Sequence, residues 1–224
     1  MSEERESLKV SGEATYMVEG SISPPVSVML SEIGVNGIKF VTTEKLQNNL
    51  VLDMMIKVSD DSDPIPAKGK VVWQGQGLSR FLLDTNIEFT RIDPKGKSRI
   101  ASFINDSVKN IKAGRLNVRC PMTVETTYRL FVTPYVQKRC ESGDIGLEGM
   151  RLLVEENIEV GSDMKIRFDL PHGWGVVTVS ATVAWKGKPM DRIIPIGVKF
   201  IDIQNEAKKR ILHYIDYTLS QQSG

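Results

Sequence analysis

An internal repeat constrains this 224-residue chain more than any other feature. Glu32-Ile33-Gly34-Val35-Asn36-Gly37 returns 112 positions later as Asp144-Ile145-Gly146-Leu147-Glu148-Gly149. Both copies hold an acid first, an aliphatic second, and glycines third and sixth. The match runs on. Val71-Val72-Trp73 is answered by Val183-Ala184-Trp185 at the same offset, and Ile87-Glu88-Phe89 by Val198-Lys199-Phe200, one residue out of step. A fold written twice must satisfy its core twice. The chain therefore reads as two units, 1–110 and 111–224, each near the commonest domain size.

Within each unit the apolar residues alternate, as half-buried strands require. In the first, Ala14 to Val18, Val26 to Leu30, Ile38 to Thr42, Leu52 to Val58, Ala67 to Trp73 and Phe81 to Phe89 read as strands. In the second the candidates are Thr123 to Tyr128, Leu130 to Tyr135, Met150 to Val154, Met164 to Leu170, Val177 to Trp185 and Ile196 to Ile203. Helices follow. Asp93-Pro94 opens one, with Ile100, Phe103, Ile104, Val108 and Ile111 on a single stripe. Asn205-Glu206 opens the other, with Ile211, Ile215 and Leu219. Six short strands in about a hundred residues are satisfied most simply by a closed antiparallel barrel, with the helix covering one end or edge.

Composition, at 41% apolar and 25% charged, is that of an ordinary globular protein. No run approaches the ~18 apolar residues of a membrane span, and the N-terminal MSEERESLKV lacks a secretory core. Cys120 and Cys140 form no CxxC pair, so two reduced thiols in a cytoplasmic protein are expected. Net charge is −3 over residues 1–107 and +4 over 108–224. A small anion therefore fits the second half better than the first. Nucleic acid calls for a stronger basic bias, and no helix-turn-helix pattern is visible.

No catalytic constellation appears. His172 and His213 stand apart from any nucleophile or acid, and the Asp60-Asp61-Ser62-Asp63 run lacks the glycine and glutamate of a calcium loop. The expectation is a protein that binds rather than catalyses. Arg115 and Arg119, four apart just before the second unit's first strand, can close on one ligand. Arginine grips phosphate with a two-donor fork and reads guanine O6 and N7 in the same way. Asp144 can accept from a guanine N–H. Gly146 and Gly149 allow close backbone approach and positive φ. Trp185 offers a flat face for base stacking, although it falls in phase with the apolar side of its strand, where core packing is the plainer expectation.

The order of these residues resembles the PilZ domain, a bacterial receptor for cyclic di-GMP. That family's pattern is RxxxR, then 20 to 30 residues, then (D/N)xSxxG. Arg115, Arg119, Asp144, Gly146 and Gly149 fall on it, and TVAW and PIGVKFIDI downstream extend the likeness over residues 112–219. The resemblance implies a six-stranded barrel with a C-terminal helix, arginines wrapped around guanines and phosphates, and the turn holding the ligand's other side. Gly146 replaces the family's serine, a hydroxyl contact worth about 0.5–1.5 kcal/mol. A water or the freed backbone N–H could take its place.

The first unit looks like a degenerate copy, with Arg5 and Lys9 where RxxxR should stand. The reading that follows is a cyclic di-GMP receptor, with no further cofactor. Ligand binding at the interdomain arm would change the arrangement of the units and signal to an unidentified protein partner; a homodimer is compatible with this. Two other readings stay open at this point: a protein-interaction adaptor that has lost the ligand, and a ligand-controlled DNA-binding regulator.

Overall fold

The alternating strands of each half close on themselves. The computed structural model describes residues 7–9, 12–58, 62–112 (backbone only from 110) and 119–220. The first unit contains β1 (Ser7–Leu8), β2 (Gly12–Val18), β3 (Val26–Gly34), β4 (Gly37–Thr42), β5 (Val51–Lys57), β6 (Ile65–Gln76), β7 (Leu83–Ile92) and α1 (Pro94–Lys112). The second contains β8 (Cys120–Pro121), β9 (Glu125–Leu130), β10 (Lys138–Ile145), β11 (Gly149–Val154), β12 (Asp163–Leu170), β13 (Gly175–Lys186), β14 (Ile194–Asp202) and α2 (Asn205–Ser220).

The first ring runs β3-β2-β5-β6-β7-β4 and closes through β3–β4; the second runs β10-β9-β12-β13-β14-β11 and closes through β10–β11. The two-residue β1 and β8 pair with β3 and β10 beside each ring. The result is two closed six-stranded antiparallel barrels, each followed by a helix, with the strands and helix of one matched in the other; the second also has a short 3-10 turn, Pro171–Gly173, between β12 and β13. Closure removes the open sheet edges that would invite pairing with another chain. The chain divides into two compact units between Val118 and Arg119.

Alternation supplies the cores. Met164, Ile166, Phe168 and Leu170 of β12 point inward with Val177, Val179, Ala181 and Val183 of β13. Asp93 starts α1 by accepting the Gly96 N–H, and Pro94 occupies the first turn, where a missing N–H costs nothing. Ile100 and Ile104 of α1 are fully buried. In α2 the buried stripe is Ala207, Ile211, Tyr214, Ile215 and Leu219, packed on β8 and β13.

One expected strand is absent. β9 ends at Leu130, and the following residues make two successive turns, in which Thr133 donates to the Leu130 carbonyl and Val136 to the Thr133 carbonyl. Pro134 has no N–H to offer a ladder. The next strand, which pairs with β9 on the side away from β12, is β10, whose Lys-Arg-Cys-Glu-Ser-Gly-Asp-Ile sequence lacks clean alternation because a bulge lies between Ser142 and Asp144.

Candidate ligand-binding site

Asp144 lies near the end of β10, after this bulge, and not in the turn that the hexapeptide suggested. It faces Arg151 of β11 as a cross-strand pair. Its carboxylate is 1% exposed and holds two arginines. Arg119 Nε donates to Oδ1 at 2.8 Å, and a terminal nitrogen of the same guanidinium lies 2.7 Å from that oxygen. Arg151 Nε lies 3.1 Å from Oδ2, at ion-pair distance but out of line for a hydrogen bond. The Arg151 side chain is 8% exposed and that of Arg119 35%, so one arginine is sealed in and the other reaches solvent. The Arg151 guanidinium carbon stands 5.3 Å from the centroid of the Trp185 ring, a cation–π contact.

Trp185 is exposed and not part of the core. A bulge between Val183 and Trp185 adds one residue to β13 and shifts the phase of the strand, so Val183 is buried while Ala184, Trp185 and Lys186 are all exposed. The first barrel repeats the device: a bulge between Val71 and Trp73 puts Trp73 outside. Trp185 lies across Gly197 of β14, where a Cβ would come within 1.9 Å of the indole nitrogen.

The glycines of the turn have different roles from those expected. Neither Gly146 nor Gly149 adopts positive φ. A Cβ on Gly149 would lie 2.1 Å from the Val198 carbonyl oxygen, and one on Gly37 would lie 2.1 Å from that of Ile87. The sixth-place glycine is thus required by strand packing in both barrels. The Gly146 N–H donates to the Gly149 carbonyl at 2.8 Å, so it is not free to replace the missing serine hydroxyl.

Arg115 lies outside the described residues, as does Arg5. In the first barrel Leu8 pairs with Ile33 as Cys120 pairs with Ile145, so Ser7, and not Arg5 or Lys9, occupies the place of Arg119. Glu32 occupies the place of Asp144 and accepts from the Ser7 hydroxyl at 2.8 Å and from Lys39 at 2.6 Å. Burial works against the Glu32 charge, but the bonds from Lys39 and Ser7 outweigh it and hold the carboxyl below its ordinary value. These groups line a cleft of about 260 Å³ with Asn36, Asn86 and Glu88. An acid with a cross-strand cation is common to both barrels. Two arginines on that acid belong to the second alone.

Arg151 was missed in the sequence reading because it falls between Met150 and Leu152 on the outward phase of β11. Its repeat partner at the 112-residue offset is Lys39, a cation in both copies, and that was the available signal.

The family model of the PilZ domain matches the chain twice, over residues 1–106 and 113–217. The chain belongs to the PilZ family. Its tandem PilZ domains are similar in fold to several solved structures. Bacillus subtilis inhibitor of motility (MotI/DgrA) is 12% identical, with 96% of this chain and 97% of that one covered at a TM-score of 0.42. Escherichia coli YcgR in complex with c-di-GMP is 11% identical, with 96% and 85% covered at 0.43. Borreliella burgdorferi PlzA in complex with c-di-GMP is 11% identical, with 92% and 88% covered at 0.37. No curated protein sequence matches. Among the described residues no helix is long and apolar enough to cross a membrane, and no cluster of His, Cys, Asp or Glu could hold a metal ion.

Proposed function

We propose that this tandem PilZ protein is a cytoplasmic, non-enzymatic receptor for cyclic di-GMP and that the second barrel holds the ligand. One observation carries the reading: Arg119 and Arg151 converge on the buried Asp144 carboxylate of the second barrel, beside the exposed face of Trp185. The first barrel offers Ser7 and Lys39 at the same places.

Asp144 is covered by its arginines, so its first task is to aim them. Arg119, a third exposed and held on Asp144 through Nε and one terminal nitrogen, offers its remaining donors to phosphate or guanine. Arg115 closes from the other end of the arm, Gly146 and Gly149 shape the turn beside it, and Trp185 stacks with a base. Because Arg115 and Arg119 lie where the two units join, a dianion drawn onto them changes the arrangement of the units, and the altered surface signals to a protein partner. Ligand drives this only as far as it favours one arrangement over the other. The committed Gly146 N–H favours one rival, an adaptor that binds no nucleotide.

Calorimetric titration of cyclic di-GMP into the full chain separates the two. The receptor reading expects micromolar or tighter affinity, one site filled in the second barrel, and a loss of tenfold or more in Arg119→Ala, the scale of a hydrogen bond to a charged group. Absence of heat up to about 100 micromolar ligand overturns it in favour of the adaptor.

A further inference from the structure

The β9–β10 connection of the second barrel is an exposed, apolar tip. Its two turns present Phe131, Val132, Tyr135 and Val136 to solvent, with Val132 85% and Tyr135 98% exposed. Neither ligand binding nor the barrel core uses them. The corresponding loop of the first barrel, Glu19 to Pro25, puts forward one large aliphatic side chain, Ile22.

The surface adjoining the tip differs between barrels in the same way. Arg129 reaches the Pro134 carbonyl and faces Lys165 across the β9–β12 ladder, with Arg167 two residues on. These three line a cleft of about 220 Å³ with Thr127, Gln137 and Thr178. In the first barrel the same register positions are Met17, Asp53 and Met55. Among the described residues Arg129, Lys165 and Arg167 have no carboxylate partner. Of the acids nearby, Glu125 pairs with Arg139, Glu156 with Lys138 and Asp163 with the Thr182 hydroxyl, while Asp169 lines the adjoining cleft with Arg167, so Arg129 and Lys165 carry most of the positive face.

We infer that this tip and the basic cleft beside it form a docking surface for an anionic phospholipid bilayer. A protein partner would meet such an exposed tip with a pocket of its own, and would bury the tip's aromatic faces there. A bilayer needs no pocket, because the tip enters the headgroup region and the cations meet lipid phosphates. Tyrosine suits that depth, with a ring for the acyl boundary and a hydroxyl for water. Neither an apolar tip nor three cations alone holds a protein on a membrane. Two such signals together do.

The test is co-sedimentation of the full chain with vesicles of phosphatidylcholine containing about 30% phosphatidylglycerol, against vesicles of phosphatidylcholine alone. The chain is expected to pellet with the anionic vesicles and not with the neutral ones. Lys165→Gln and Arg167→Gln each weaken binding about fivefold. Val132→Ser with Tyr135→Ser weakens it by roughly tenfold or more. Both of those side chains are exposed, so the barrel retains its core. Tyr135→Trp in a separate sample gives a blue-shifted fluorescence on vesicle addition. A chain that stays in the supernatant with anionic vesicles overturns the inference, and so does binding that the tip and cleft substitutions leave unchanged.

Discussion

Removing the Asp144 carboxylate is expected to cost the second barrel more than removing either arginine it holds. In Asp144→Ala the Arg151 guanidinium, 8% exposed, loses its counter-charge while remaining enclosed. Breaking a buried pair in this way costs about 3–5 kcal/mol. Arg119→Ala leaves the Asp144–Arg151 pair intact but takes from buried Oδ1 its hydrogen bond, and because Arg119 itself is 35% exposed the loss stays at about 1–2 kcal/mol. Arg151→Met keeps apolar volume against Trp185 but strips Oδ2 of its partner, an intermediate cost of about 1–3 kcal/mol. Urea unfolding in a Trp73→Phe background reads the second barrel, because Trp174 and Trp185 then carry the fluorescence. Glu32→Ala is the internal control: its cation Lys39 is half exposed and can rehydrate, so little is lost. Equal midpoint shifts for Asp144→Ala and Arg119→Ala would refute the reasoning, since they would mean that Arg151 does not depend on the acid.

Two further outcomes follow from the packing. Gly149→Ala places a methyl against the Val198 carbonyl of a paired strand, so about 1–3 kcal/mol of stability is lost whether or not ligand is present; thermal unfolding of Gly149→Ala and Gly37→Ala should show comparable drops. Stability should also fall at high pH. Burial, and secondarily the Asp144 charge, pushes the Cys120 thiol up to about 12, and burial with the Glu141 charge raises Cys140 as well. The folded state keeps both thiols protonated while the unfolded chain ionises near pH 9, so this stability is whole below about pH 9 and is lost as pH rises toward about 12. The expected slope is about 1.4 kcal/mol per pH unit per thiol in urea titrations, and Cys140→Ala should remove its share.

Much of the fold was legible because alternation and repetition are written in side-chain type. The barrels, the helices at Asp93 and Asn205, and the family all come from such patterns. What escaped depends on one-residue insertions in strands. The Ser142–Asp144 bulge concealed β10, and the Val183–Trp185 bulge turned a tryptophan that was in phase with the core out to solvent. The RxxxR register of the first unit also misled: Arg5 and Lys9 have the right spacing, but the β1–β3 pairing sets Ser7 opposite Gly34, from where its hydroxyl donates to Glu32. Arg151 went unnoticed because a ligand motif draws attention to its own positions, while the strand pairing adds the residue across the ladder.

The bulges on β6 and β13 have a wider consequence. Each shifts the in–out phase of one continuous strand by one residue, and beyond it the strand end leaves the core. Trp73 and Trp185 owe their place in solvent to ladder register and not to their own chemistry. Deleting Ala184 would therefore remove the bulge and leave Trp185 directly after Val183, still opposite Gly197 and outward, so the indole should keep its place beside Arg151 while the strand loses its extra residue.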